Sequence, residues 1–355
     1  MKYSRPEKRS PLIRTPVLHP LACILLFLCA CQMKPRSWWH EGQIAVIADE
    51  AEWEGLGSVL RPVFERVLRT PQEEKTYEIL FVPESRIDAY GKYRYLLLAA
   101  TLESAGPAGM LIQGMIADSS MRRGIEKGEY FLFVKKDLWA RKQTVAVLVA
   151  ADMRSLQSKV EANRDLLYEL FDSDIEDGMA AEMYDRGYLK DEEEDLLSSF
   201  GWSLRLQKGY FRAQASAAGG LVWFRRLQPE RWIFVHWVEN ADTTLLDEAW
   251  AVGERNRIGE AYYGGDRVAG SYLFSSRSTF LGRPALVTTG LWENEKKMVG
   301  GPFRNTVFFD RLSGRVYMID LAVFAPGEDK LPYLKRMNLV ARTFRTVYEP
   351  RRPSG

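Results

Sequence analysis

Apolar residues along the chain come in short runs with two different periods. Ile44-Ala45-Val46-Ile47-Ala48 is a continuous apolar run closed by Asp49, which predicts a buried strand. Leu60, Val63, Phe64, Val67 and Leu68 recur every three to four residues after Ser58. That period predicts a helix capped by Ser58, with Pro62 in the first turn where a missing N–H does no harm, and Thr70-Pro71 as its stop. Runs at 77–82, 93–102, 130–134 and 145–150 predict further strands, while 106–117, rich in Gly and Met, fits neither period. Asp152 is placed to cap a helix carrying Leu156, Val160, Leu167 and Leu170 on one side. The second half reads mostly as strand, at 203–206, 210–214, 221–227, 232–238, 272–274, 285–292, 306–309 and 316–324, with helices over 244–258 and 331–347.

The fold class expected is therefore α+β: two mixed α/β units, each a largely antiparallel sheet packed with helices. A boundary near Gly201 separates an N-terminal α/β unit at 42–200 from a C-terminal α+β unit at 201–350. With 355 residues, 46% of them hydrophobic and 10 of them Trp, the chain has enough apolar material for cores of that size.

The start of the chain changes the picture. Leu21 to Cys31 is apolar and follows Lys2, Arg5, Lys8, Arg9 and Arg14. The run is too short to span a bilayer and suits the core of a signal peptide. Leu28-Cys29-Ala30-Cys31 has the order of a bacterial lipobox: an aliphatic residue, two small ones that a peptidase pocket can close around, and a cysteine whose sulfur forms the thioether. This predicts a signal peptide at 1–30, lipidation of Cys31 and a tether at 31–41. Two or three acyl chains anchor stably, so the membrane is the first partner expected, with the body in the periplasm against the outer membrane. An ordinary secretory signal cut near Ser37 and an uncleaved anchor are the competing readings. Trp38-Trp39, close behind, suits either the membrane interface or packing on a domain edge.

The leader also carries five of the 49 Lys and Arg residues and one of the 47 Asp and Glu residues, so the formal charge of +2 belongs to it and the rest is slightly acidic. No phosphate-binding field results, and nucleic acid is not an expected partner. The three cysteines, Cys23, Cys29 and Cys31, all lie at this end, which leaves the body without a disulfide, a thiolate nucleophile or a Cys metal site. His40 and His236 are the remaining histidines, too few for a His-rich metal centre. No cofactor, metal or catalytic residue is expected.

Residues 172–195 hold eleven acids against Arg186 and Lys190. The run from Asp172 to Gly178 approximates the opening of a calcium loop, but its glycine is seventh rather than sixth and its twelfth position is Met183. A solvated acidic helix end is the better reading. Asp191 and Glu194 resemble a capping box. His236 sits in an alternating run, as a general base beside Glu239 or as a half-buried strand residue. Gly300-Gly301-Pro302 lacks the Lys-Ser/Thr of a phosphate loop and reads as a tight strand connection; as a site it would form a small anion pocket with Arg304.

Trp223, Arg225, Arg226, Arg255 and Arg257 are the strongest ligand-binding candidates. Guanidinium forks suit carboxylate and phosphate, and interleaved with Trp223 and Trp232 they would grip a glycan, a peptide terminus or a lipid headgroup. The plain alternative is exposed charge on a sheet face and helix.

Several stretches together carry a resemblance: Trp139-Ala140 with Gln143, Trp223-Phe224-Arg225-Arg226, Arg255-Asn256 followed by Gly270-Ser271-Tyr272, and Gly290-Leu291-Trp292 followed by Met298-Val299-Gly300-Gly301-Pro302-Phe303. With the lipobox they resemble the Bacteroidetes-type lipoproteins of domain-of-unknown-function family 4837, over nearly the whole mature chain. Val299 departs from that family's Met-Gly-Gly-Pro-Phe-like run, as does the acidic 172–195 segment. The resemblance implies a location and no activity. The order ending in Leu339-Val340-Ala341-Arg342-Thr343-Phe344 is also similar to the lumenal PsbP-type sandwich, a non-enzymatic fold. The function expected is a non-enzymatic binding or assembly factor of the envelope; the alternative is a hydrolase of envelope glycan or lipid working through Glu239, Asp266 or Asp310.

Overall fold

The computed structural model describes residues 34–350 apart from Thr70, Pro71 and Ala117. The leader, the lipobox, Cys31 and the predicted Thr70-Pro71 helix stop lie outside the described residues.

The first unit runs β1 (Gln43–Ile47), α1 (Glu50–Phe64), the hairpin β2 (Val67–Arg69) and β3 (Glu73–Lys75), β4 (Glu78–Val82), α2 (Ile87–Tyr90), β5 (Tyr95–Thr101), α3 (Pro107–Met115), α4 (Ser119–Glu126), β6 (Leu132–Lys136), β7 (Thr144–Ala150), α5 (Met153–Ala162) and α6 (Arg164–Tyr184). Its sheet has the order β4-β1-β5-β7-β6. The α+β class with two sheet-bearing units holds, but this sheet is not largely antiparallel. β1 runs parallel to β4 and β5, β5 runs parallel to β7, and β6 alone is antiparallel. The physical reason is coverage of both faces. Every residue of β5 and β7 is buried. Leu97 and Ala99 face α1, α5 and α6, while Leu96 and Leu98 face the α3 side. Uninterrupted apolar strands between two helical layers are the mark of parallel pairing.

Local details depart from expectation for similar reasons. α1 begins at Glu50 because Trp53 and Leu56 extend its apolar stripe upstream, so Ser58 lies inside it and Pro62 near its end. Asp49 does not cap α1; its carboxylate accepts from Ala108 N at 2.8 Å and Gly109 N at 3.0 Å and so caps α3. The acidic run forms no calcium loop. Its first part lies within α6, where Glu182 meets Arg94 at 2.7 Å and Asp174 pairs with Lys136. Asp191–Asp195 lie in the next helix, 190–200; Asp177, Asp185, Asp191 and Glu194 are exposed, as a solvated acidic helix would have them. Residues 34–41 pack along the unit's edge, with Trp38 4.7 Å from Tyr93 and Trp39 5.1 Å from Tyr95 between ring centres.

The second unit contains α7 (Lys190–Phe200), β8 (Trp202–Ser203), β9 (Phe211–Ser216), β10 (Leu221–Arg226), β11 (Glu230–Val238), α8 (Glu248–Tyr262), β12 (Arg267–Val268), β13 (Phe274–Phe280), β14 (Arg283–Asn294), β15 (Val299–Asp310), β16 (Arg315–Phe324), α9 (Leu331–Ala341) and β17 (Arg345–Thr346). Its eight-stranded sheet has the order β12-β14-β15-β16-β11-β10-β9, with β13 on β14, and each pairing is antiparallel. Gly300-Gly301-Pro302 belongs to β15 rather than to a connection. One face packs Phe234, Phe303 and Met318 under α8. The other packs Ile233, Phe308 and Ile319 against α7 and α9.

α9 is shared between the units. Leu339 enters the N-terminal core and Val340 the C-terminal one. Glu74 of β3 caps α9, accepting from Lys330 N at 2.9 Å and Leu331 N at 2.7 Å. Among the described residues no helix is long and apolar enough to cross a membrane.

Candidate functional site

Alternation gathers large side chains at one end of the C-terminal sheet. Trp223 pairs across with Phe234 and Arg225 with Trp232. Glu230 pairs with Phe324, and Trp292 with Gly301. Residues in register share a face, so Trp223, Arg225, Glu230, Trp232 and Trp292 all point to the α8 side. The end of α8 closes the group with Tyr263, after which Gly264 and Gly265 turn through positive φ and deliver Asp266. Two glycines make the approach feasible. A Cβ on Gly259 would stand 2.0 Å from Asp266 O, and one on Gly301 would stand 2.0 Å from Val323 O.

The result is a cleft of about 450 Å³ walled by Trp223, Trp232, Trp292 and Tyr263. Trp223 meets Tyr263 edge-on at 4.5 Å and Trp232 meets Trp292 at 5.0 Å between ring centres. The Arg225 guanidinium lies 5.4 Å from the Trp223 ring and pairs with Glu230. Five buried polar atoms of this wall have no hydrogen-bond partner: Nε1 of Trp223, Trp232 and Trp292, Nε of Arg225 and Oη of Tyr263. All five can donate. Trp232, Trp292 and Tyr263 are only 5%, 3% and 8% exposed, and a buried donor left unpaired costs about 1–3 kcal/mol. Charge in the cleft balances, with Arg225 and Lys297 against Glu230 and Asp266. Burial pushes the Asp266 carboxyl up, outweighing the 2.6 Å bond it accepts from Asn294.

Beneath the cleft Asp320 is fully buried. It accepts from Arg255 Nε at 2.9 Å and Asn305 Nδ2 at 3.0 Å, and its burial raises its pKa against both partners. Arg255 also lies 4.1 Å over the Phe303 ring. This group pins α8 to the sheet.

The predicted residues separate accordingly. Trp223 and Arg225 line the cleft. Arg226, one residue on, faces the opposite side, where it donates to Gln207 Oε1 at 3.2 Å. Arg255 is the buried pin, and Arg257 lies outward on α8, paired with Glu254. Gly301 backs Trp292, and Gly300 allows close packing on the Trp292 carbonyl. Arg304 is three residues from Gly301 and therefore on the other face, so the anion pocket of Gly300, Gly301 and Arg304 does not form. His236 does not meet Glu239. Its Nδ1 lies 2.7 Å from Gly220 O and its Nε2 3.0 Å from Glu254 Oε1, because α8 carries Glu254 over the strand. Burial raises the Glu254 carboxyl, but His236 and Arg257 outweigh it and hold the pKa at about 2. Glu239 pairs instead with Arg315 at 2.7 Å, and Asp310 with Arg283 at 2.9 Å, so the three proposed carboxylates do not converge. Sequence reading missed Glu230, Tyr263, Trp292 and Lys297. The alternation Glu230-x-Trp232-x-Phe234 marks the first; nothing short-range marks the others. Among the described residues no cluster of three or more His, Cys, Asp or Glu could hold a metal.

Fold and cleft define a two-sheet protein with an aromatic, donor-rich site on its C-terminal unit. Residues 189–343 match the family model of a domain of unknown function, DUF4837. Residues 40–179 match a second domain of unknown function, DUF8532, so the resemblance read along the mature chain divides between two families. No curated protein matches the chain. Among solved structures, LpqN of Mycobacterium tuberculosis, described as involved in cell envelope biogenesis, is 16% identical with a TM-score of 0.28, over 40% of this chain and 81% of that one. The Saccharomyces cerevisiae Ran-binding protein Mog1p is 12% identical with a TM-score of 0.28, over 41% and 90%. A Bacteroides thetaiotaomicron structure is 7% identical with a TM-score of 0.27, and the chain spans 45% of it. Likenesses this low carry no argument.

Proposed function

We propose that the protein is an envelope lipoprotein, held to a membrane through Cys31, whose C-terminal unit binds a neutral, hydroxyl-rich ligand of the saccharide class in the aromatic cleft. The observation that carries this is the set of five unpartnered donors on one wall. Such a wall calls for a ligand that brings several acceptor oxygens together with apolar C–H faces, which a sugar ring does. The balance of Arg225 and Lys297 against Glu230 and Asp266 favours a neutral ligand over an anionic headgroup. Titration calorimetry against a panel of envelope-type oligosaccharides tests it. Binding at or below the millimolar range that falls at least about tenfold in Trp223→Ala supports the reading, since stacked aromatic contact contributes a few kcal/mol. Equal affinity in the variant would refute it. The anchor has its own test: Cys31→Ala should move the protein from the membrane to the soluble fraction.

A second reading rests on Asp266. It shares the cleft with Glu230, whose charge adds to the burial that raises its pKa. In a glycoside hydrolase of this kind Asp266 would protonate the leaving oxygen while Glu230 assists the attacking water. Asp266→Asn that keeps binding and abolishes sugar release would favour it; no release by the wild type removes it.

A further inference from the structure

A second cavity, of about 270 Å³, lies on the opposite face of the C-terminal sheet, between the two units. Its floor comes from β14 and β15, with Thr289 and Arg304; its walls come from Leu68 and Glu176 on one side and from Leu334 and Lys335 of α9 on the other. Most charges around it are matched. Glu176 is taken by Arg342, and Asp172 accepts from Tyr77 Oη, with Lys335 Nζ 3.8 Å away. Arg304 is not matched. Among the described residues its Nε is buried without a hydrogen-bond partner, and Glu176, whose charge acts on it, is already held by Arg342. A half-buried guanidinium without a paired carboxylate offers its charge to an anion that can enter the cavity. The remaining walls are partly apolar, through Leu68, Leu331 and Leu334.

We infer that this cavity binds a small organic anion, its carboxylate on the fork of Arg304 and its apolar body against Leu68, Leu331 and Leu334, bridging the two units. A planar guanidinium accepts a carboxylate bidentately, and a cavity of this size suits a short acyl chain rather than a full lipid. The inference is independent of the saccharide reading, which uses the other face of the sheet.

The test uses octanoate as the probe, with 1-octanol as the uncharged chain and inorganic phosphate as the chainless anion. Binding is read by calorimetry and by thermal shift on the wild-type protein and on Arg304→Met, Arg304→Lys and Arg225→Met. Octanoate should bind the wild type and raise its melting temperature, 1-octanol and phosphate should bind at least about tenfold more weakly, and Arg304→Met should lose at least about tenfold in octanoate affinity. Arg304→Lys keeps the charge and should retain part of it; it also serves if Arg304→Met does not fold. Arg225→Met, in the aromatic cleft, should bind octanoate as the wild type does. Unchanged octanoate affinity in Arg304→Met, a loss in Arg225→Met of the same size, or no octanoate binding by the wild type would overturn the inference.

Discussion

In the N-terminal sheet β5 and β7 bury every residue under helices, and buried polar groups of that unit are paired, as where Asp49 caps α3 and Tyr77 donates to Asp172. In the C-terminal unit the large antiparallel sheet buries comparable aromatic bulk. Yet every buried side-chain polar atom without a hydrogen-bond partner, among the described residues, falls between Glu193 and Thr346, and five of them share one cleft. One unit has satisfied its polar groups internally. The other leaves a local group of donors without a hydrogen-bond partner, and the proposed ligand site rests on that group.

The comparison can be broken most severely at the buried ion pair. Asp320→Ala leaves Arg255 charged and unpaired under the cleft and should cost about 3–5 kcal/mol by urea denaturation; a loss below about 1 kcal/mol would show that the pin does not hold α8. Two tyrosines sharpen the contrast. Tyr77→Phe removes a hydroxyl that donates to a carboxylate and should cost about 1.5–3 kcal/mol. Tyr263→Phe removes one with no partner and should raise the stability of the unliganded protein by about 1 kcal/mol. Acid sharpens it differently. The Glu254 carboxyl is held at about 2, below its ordinary 4.5. A depressed carboxyl adds stability above its unfolded pKa and loses it as pH falls toward the folded one. Stability should therefore drop between about pH 4.5 and 2, and Glu254→Gln should flatten that part of the profile. The smallest effect is expected at Arg257, outward on α8. Arg257→Ala should change stability by under about 1 kcal/mol and leave saccharide binding untouched.

Sequence reading reached most elements and the α+β class because strand and helix periods are local properties. It missed the parallel pairing of the first sheet, since direction depends on which helices cover the strands and not on the apolar run within any one of them: Leu96, Leu97 and Leu98 read the same either way. Trp223 and Arg225 were visible as a candidate pair, and their side of the sheet follows from alternation. Arg226 was grouped with Arg225, and Arg304 with Gly301, by proximity in sequence, which a period of two undoes. Tyr263 and Lys297 were beyond reach, and Asp266 was legible only as one of three separate carboxylates. They enter the cleft only because Gly259 lets the end of α8 close on β12 and because Lys297 Nζ donates to Tyr263 O at 3.0 Å, contacts made between distant segments.

The central claim is that the open donors of the cleft are there for a ligand, and Tyr263→Phe tests it most directly. Its unfolding free energy and its oligosaccharide affinity are measured beside the wild type. The account predicts opposite signs: a variant slightly more stable when empty and several-fold weaker in binding. A variant that is less stable, or that binds as tightly as the wild type, would contradict it.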